Sequence, residues 1–102
     1  MADIWATKTQ MTAIGSHAAP FALYSAGHAS NKGFSSTTGV HIAMKRMNQV
    51  VLSADKSSVE IGTGNGWADV YDKLDGTGVN VVGGRVKGPG VGGFTLGGGY
   101  SW

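Results

Sequence analysis

Phe21-Ala22-Leu23-Tyr24-Ser25-Ala26-Gly27-His28 changes character halfway along, and that change decides how the chain is read. Phe21 to Ser25 has the composition of a short buried strand. It runs directly into Ala26-Gly27-His28 and on through Ala29-Ser30-Asn31-Lys32-Gly33, a loop of small and polar residues. Successive backbone N–H groups at a tight turn can converge on one phosphate and act there as a fixed partial positive charge. Small side chains matter because the phosphate oxygens must reach the backbone. Taken alone the turn is weak evidence, since strands often end in glycine.

Upstream, Asp3 to Ser16 reads as an amphipathic helix, with Asp3 as cap and Ile4, Met11 and Ile14 near helical spacing. Pro20 closes the connection that follows. Downstream, Val40-His41-Ile42-Ala43-Met44 alternates as a second strand does. Val50-Val51-Leu52-Ser53 and Ser58-Val59-Glu60-Ile61-Gly62 flank Ala54-Asp55-Lys56-Ser57, which has the chemistry of a hairpin turn. Beyond Gly62 the texture changes: 14 of the 18 glycines lie from there on, which leaves room for little regular structure. Trp67 to Leu74 still reads as a helix, with Trp67, Val70, Tyr71 and Leu74 on one face and Gly76 and Gly78 to stop it. Val79-Asn80-Val81-Val82 reads as a strand. The sum is a single α+β domain over residues 1–102, with short strands, two helices and glycine-rich loops.

Two more loops could carry chemistry. In Gly90-Val91-Gly92-Gly93-Phe94-Thr95-Leu96-Gly97-Gly98-Gly99-Tyr100 the backbone could lie flat against a large planar ligand, or form a flexible tail or a series of tight turns. Ile61-Gly62-Thr63-Gly64-Asn65-Gly66-Trp67 opens the second helix. Its amides and the helix N-terminus would favour an anion, while Asn65 could equally be a simple helix cap. Neither a P-loop lysine motif nor a glycine triad at dinucleotide-fold spacing occurs. Of the three histidines, His17 reads as a solvated or capping residue and His41 as a strand residue. His28 ends the candidate phosphate turn, so its ring would lie beside whatever that turn holds. Without HxH or HExxH spacing no metal site is expected, and there is no nucleophile elbow.

Composition narrows the class further. The chain has 102 residues, enough for one small domain that hides roughly two-thirds of its extended surface. Charged residues are 14% of it, against about 25% in typical soluble domains. That leaves surface to be covered by a cofactor, a second domain or another copy. Net charge is +2 and the eight basic residues are scattered, so the basic stripe of a nucleic-acid surface is missing. An isolated anionic ligand needs far less charge. Cysteine is absent, which removes disulfides, thiolate metal sites and a cysteine nucleophile. No secretory leader is visible at Met1-Ala2-Asp3-Ile4-Trp5, and no apolar run approaches the roughly 20 residues that span a bilayer. A soluble chain with no membrane partner is expected.

Together the loops resemble the PCMH-type FAD-binding domain of the vanillyl-alcohol-oxidase superfamily, in particular the berberine-bridge-enzyme-like oxidases. That family runs through R-S-G-G-H-S, a phenylalanine-serine stretch, a strand ending in L-x-x-M/L-N, a valine-rich hairpin, G-x-G-x-x-W, V-V-G-G-R and G-V-G-G-x-x-L-G-G-G. This chain keeps the order with Tyr24-Ser25-Ala26-Gly27-His28, Gly33-Phe34-Ser35-Ser36, Met47-Asn48, Ile61 to Trp67, Val81-Val82-Gly83-Gly84-Arg85 and Gly90 to Gly99. Each motif is weak singly, but in sequence they cover nearly the whole chain.

The resemblance implies FAD as cofactor, its pyrophosphate on the amides of Ser25, Ala26, Gly27 and His28. It implies His28 as a covalent attachment point to the flavin's ring methyl. Gly92, Gly93, Phe94 and the turn of Gly97, Gly98 and Gly99 would lie along the ribityl chain and ring system. The second, cysteinyl link of some relatives would fall near Val86 and is excluded. The implied activity is that of an FAD-linked oxidase that uses dioxygen. Two departures stand out: Tyr24 replaces a basic residue, and Ala26 replaces a glycine. A positive φ at Ala26 would strain the turn by about 1 kcal/mol or more. The chain stops at Trp102, so the resemblance places the rest of the FAD domain and the substrate domain outside it, and no general base can be named within it. The alternative expectation is a non-catalytic remnant of the fold that binds no FAD and self-associates as a homo-oligomer through exposed strand edges. Relatives are often secreted, which leaves localisation open.

Overall fold

A computed structural model describes residues 2–34 and 36–100, without the side chains of residues 2–7. The expected Asp3 cap and Ile4 contact, and Ser35 of the phenylalanine-serine stretch, therefore lie outside the described residues. The elements in chain order are α1 (Ala2–Ser16), β1 (Phe21–Tyr24), β2 (Val40–Ala43), a 3-10 turn (Met44–Arg46), β3 (Val50–Leu52), β4 (Val59–Ile61), α2 (Trp67–Leu74) and α3 (Val91–Leu96). The α+β class read from the sequence is what the chain adopts.

The strands form two separate pairs. β1 and β2 run parallel, with Phe21 opposite Val40 and Tyr24 opposite Ala43. A parallel pair needs a long crossover, and residues 25–39 supply it with no helix among the described residues. β3 and β4 form the expected antiparallel hairpin, Val50 opposite Ile61. Its turn closes through the Ser53 N–H, which donates to the Ser58 carbonyl at 2.9 Å. Asp55 accepts from the Ser53 and Ser57 hydroxyls at 2.7 and 2.9 Å.

The core gathers on α2. Trp67, Val70 and Leu74 are buried, Val91 of α3 joins them, and Val50, Val59, Ile61, Tyr71, Val81 and Phe94 pack around this group. This is the face that the i, i+3, i+4, i+7 spacing defined. The Trp67 ring stacks on Tyr71 at 6.1 Å and meets Phe94 edge-on at 5.1 Å. Its indole N–H is buried with no acceptor among the described residues, a cost of about 1–3 kcal/mol that ring packing has to exceed. Elsewhere among the described residues only Ile14 and Ile42 are buried large apolar residues. The radius of gyration is 15.1 Å, against about 13 Å for a compact domain of this length.

Three expectations are corrected. β1 is not buried: Phe21 and Leu23 are 46% and 53% exposed, because a two-stranded sheet with no further layer cannot cover its own side chains. Val79 to Val82 is not a strand. The Val79 and Val81 amides donate to Thr77 Oγ1 at 3.3 Å and Asn80 Oδ1 at 2.9 Å, so local side chains take the place of a ladder. The Gly90–Gly99 stretch contains a third helix rather than a flat strip or tail. Glycine disfavours helix, but Val91 is anchored in the core and its N–H donates to the Asn65 carbonyl at 2.9 Å. Among the described residues no helix is long and apolar enough to cross a membrane.

Candidate functional site

β1 delivers its turn into a cleft lined largely by small residues. The cleft there has a volume of about 630 Å³. Leu23 to Ala29 form one wall; Pro89, Gly90, Gly92, Gly93, Phe94 and Leu96 form the other; Met44 and Thr63 complete the lining. The structure thus brings together Ser25, Ala26, Gly27, His28, Gly92, Gly93 and Phe94. It does not bring Gly97, Gly98 and Gly99 to the lining. They follow the end of α3, Gly98 and Gly99 at positive φ, with Gly99 against the Phe94 ring. Thr63, Met44, Pro89 and Leu96 were not named as site residues from the sequence: Thr63 and Leu96 stood inside glycine motifs in which other residues were singled out, and Met44 and Pro89 carry no motif of their own.

The turn itself is built on Gly27, whose φ is +73°. Ala26 is not at positive φ, so the strain expected of an alanine there does not arise. Tyr24 folds over the turn: a side chain on Gly27 would strike its ring, and Tyr24 Oη donates to the Ala26 carbonyl at 3.2 Å. Ser25 Oγ donates to the Thr63 carbonyl at 2.6 Å. The N–H groups of Ala26, Gly27 and His28 have no acceptor among the described residues. His28 is exposed at the rim, its ring against Gly88, where an added Cβ would lie 2.7 Å from Nδ1. The other two histidines stand apart. His17 Nδ1 lies 2.8 Å from the Ala13 carbonyl at the end of α1. His41 sits edge-on to Tyr24 at 5.5 Å.

The loop at 62–66, which looked like a second anion site, is a different object. Most of its amides are already bonded: Gly62 donates to the Gln49 carbonyl, Gly64 to that of Met47 and Asn65 to that of Gly62, and the Trp67 N–H that follows donates to that of Pro89. The Gly66 N–H donates to Asp69 Oδ2 at 3.0 Å, which also sets a carboxylate at the start of α2. Asn65 is not the cap either, since Gly66 holds that position. Asn65 is 2% exposed, and its Nδ2 donates to the Gln49 and Gly62 carbonyls at 3.1 and 2.9 Å.

Donor geometry and lining together fit a long, partly anionic, partly aromatic ligand. Unengaged backbone donors sit at one wall, and Leu23, Met44, Phe94 and Leu96 offer apolar surface. The volume lies within the range of about 300–1,000 Å³ usual for small-molecule sites. A second hollow of about 690 Å³ lies beside the C-terminal end of α2, between Asp72, Asp75 and Asn80. It includes none of the loops the sequence singled out. No group of histidines and carboxylates placed to hold a metal occurs among the described residues.

Comparison with known proteins agrees with this geometry. A family model described as "FAD binding domain" matches residues 6–102. An FAD-dependent monooxygenase of Aspergillus niger is 46% identical over 83 residues, covering 79% of this chain and 14% of the relative. An FAD-dependent monooxygenase of Penicillium terrestre is 45% identical over 79 residues, covering 76% of this chain and 15% of the relative. An uncharacterized FAD-linked oxidoreductase of Arthroderma benhamiae is 40% identical over 83 residues, covering 80% and 17%. The chain thus spans about a sixth of the length of these curated relatives. No solved structure matches it.

Proposed function

The chain belongs to the FAD binding domain family, and from that premise we propose that it is the FAD-holding portion of an FAD-linked oxidoreductase. The observation that carries the reading is the set of unengaged N–H groups at Ala26, Gly27 and His28, residues that line the same cleft as Gly92, Gly93 and Phe94. In this reading the turn holds the pyrophosphate, as a run of converging amides can. The Gly92–Phe94 face, with Leu23 and Leu96, receives the ring system. His28 at the rim is the covalent attachment point. When bound, the flavin supplies the redox chemistry, and the protein's part is position and field. The oxidase use of dioxygen is proposed on the resemblance alone. The relatives carry monooxygenase names. The substrate domain and any general base are proposed to lie outside residues 1–102.

The test is a visible absorbance spectrum of the purified chain after FAD loading, taken before and after acid precipitation. A flavin band that stays with the pellet, and is lost from the pellet but kept in the native His28→Ala protein, supports both cofactor and attachment. A chain that takes up no FAD overturns the reading.

A second reading has its own observation. Phe21, Leu23 and Val40 are all more than 40% exposed on the β1–β2 pair, and Phe34 is 74% exposed. Apolar surface of this kind favours self-association, so a homo-oligomer that binds no FAD is the alternative. Sedimentation of the FAD-free chain decides it: a concentration-independent monomer rules it out.

A further inference from the structure

We infer that the Ser25 hydroxyl is a positioning group that sets the separation of the cleft's two walls through the 62–66 loop, and is not itself a ligand of the cofactor. The inference rests on the FAD reading only for its consequence in binding; the wall-setting role is a property of the chain alone.

Three segments meet at this hydroxyl. Ser25 Oγ donates to the Thr63 carbonyl at 2.6 Å, across 38 residues of sequence. A hydroxyl has one proton to give, so that donor is not available to an anion in the cleft. Gly90 abuts the same group. A Cβ there would overlap Ser25 Oγ and lie 2.7 Å from the Ala26 nitrogen and 2.9 Å from the Ala26 Cβ. A Cβ on Gly92 would stand 3.4 Å from both Ser25 Oγ and the Thr63 carbonyl oxygen.

The loop that receives the bond is held on both sides. On one side Gly62 and Gly64 donate to the Gln49 and Met47 carbonyls at 2.8 Å each. On the other, Gly66 bridges Gly90, the Asn65 carbonyl accepts from Val91, and Trp67 N–H donates to the Pro89 carbonyl. Buried Asn65 fixes the loop internally. The wall carrying α3 is therefore tied to residues 62–66 by backbone bonds, and the wall carrying the β1 turn is tied to it by the Ser25 hydroxyl. Removing that hydroxyl takes away this hydrogen bond between the walls while leaving every amide of the Ala26–His28 turn in place.

The experiment uses the whole chain in two measurements. Amide chemical shifts of the FAD-free protein are compared among wild type, Ser25→Ala and Ser25→Thr. FAD affinity is then measured for the same three by titration. Ser25→Ala should move the amides of Gly64, Val91 and Gly92 as well as those of its own turn, and weaken FAD binding about five- to tenfold. Ser25→Thr keeps the hydroxyl and should restore both. Should Ser25→Ala fail to fold, Ser25→Cys, with a weaker donor of similar size, should give shifts in the same amides. Shift changes confined to residues 24–28 overturn the inference. So does a loss of FAD affinity in Ser25→Ala with the amides at 64, 91 and 92 unmoved, which would make the hydroxyl a direct ligand. A wild type that binds no FAD sinks the functional reading, while the FAD-free shifts still decide this one.

Discussion

Replacing Asn65 by alanine tests whether the 62–66 loop is the pinned centre of the fold. The side chain is 2% exposed, and its Nδ2 donates to two carbonyls, those of Gln49 and Gly62. Each carbonyl keeps another donor in the variant: the Gly62 N–H for Gln49 and the Asn65 N–H for Gly62. Neither is orphaned, so each lost bond costs its net value of about 1 kcal/mol rather than a full desolvation penalty. A residual void of roughly 40 Å³ adds about 1 kcal/mol at ~24 cal/mol per Å³ if the loop does not collapse. The sum is about 2–3 kcal/mol. At about 4–8 °C per kcal/mol for a domain of this size, the melting midpoint should fall by roughly 10–20 °C. Thermal unfolding followed by circular dichroism and by tryptophan fluorescence measures it, and the two probes should report one transition. A loss under about 0.5 kcal/mol, the usual size of a surface substitution, would refute the reasoning and leave the loop's bonds as bystanders.

Gly27→Ala places a Cβ at φ +73° and against the Tyr24 ring. It should cost about 1–2 kcal/mol from backbone conformation plus a steric part, and a double-mutant cycle with Tyr24→Ala should recover only the steric part. Asp55 is held at about 2, below its ordinary 3.8, chiefly by the Ser53 hydroxyl and then by bonds from Ser57. Its folded value is depressed, so its contribution is present above pH 3.8 and is lost as pH falls towards 2. Asp55→Asn should flatten that part of an acid-unfolding profile, and an unchanged profile would show that the turn does not stabilise the fold. Tyr71 is pushed above its ordinary 10.0 by burial, and its hydroxyl donates to the Gly84 carbonyl at 2.8 Å. The folded state keeps this proton where the unfolded state loses it, so stability should fall as pH rises past 10. Tyr71→Phe should cost about 1 kcal/mol at neutral pH and remove its share of the alkaline decline seen in thermal melts.

What could be read from the sequence was local. α2 was legible from end to end because four apolar residues share a face and positive-φ glycines follow it at Gly76 and Gly78. The hairpin was legible because Asp55 and its serines make their turn within six residues. The β1 turn was legible for the same reason: its small residues and Gly27 act where they stand. α3 was hidden because its two internal glycines lower helix propensity by roughly 1 kcal/mol each, while the compensation comes from Asn65 and the core. Thr63 was hidden because its part in the site is a carbonyl, and every residue has one.

The two glycine loops that looked alike in sequence differ in one physical respect, the destination of their N–H groups. At 62–66 the amides of Gly62, Gly64, Asn65 and Gly66 end on Gln49, Met47, Gly62 and Asp69, so most of the loop's donors are already answered from within the chain. At 26–28 they end on nothing among the described residues. Ala26 is half-buried while Gly27 and His28 are exposed, so the donors of the second loop are left to solvent and open to a ligand, as most of those of the first are not. The same comparison explains why an alanine is tolerated where the resembling motif has glycine. Gly27 takes the left-handed conformation and Ala26 does not, and the Ala26 carbonyl is held by Tyr24 Oη. Tyr24, which stands in place of a basic residue, thereby supplies no charge to an anion. It fixes the carbonyl whose orientation decides which way the next amides face. An anion at this turn would then be attracted by backbone dipoles rather than by a charge on residue 24, and Tyr24→Phe should weaken FAD binding, measured by titration, by disordering the turn without altering its net charge.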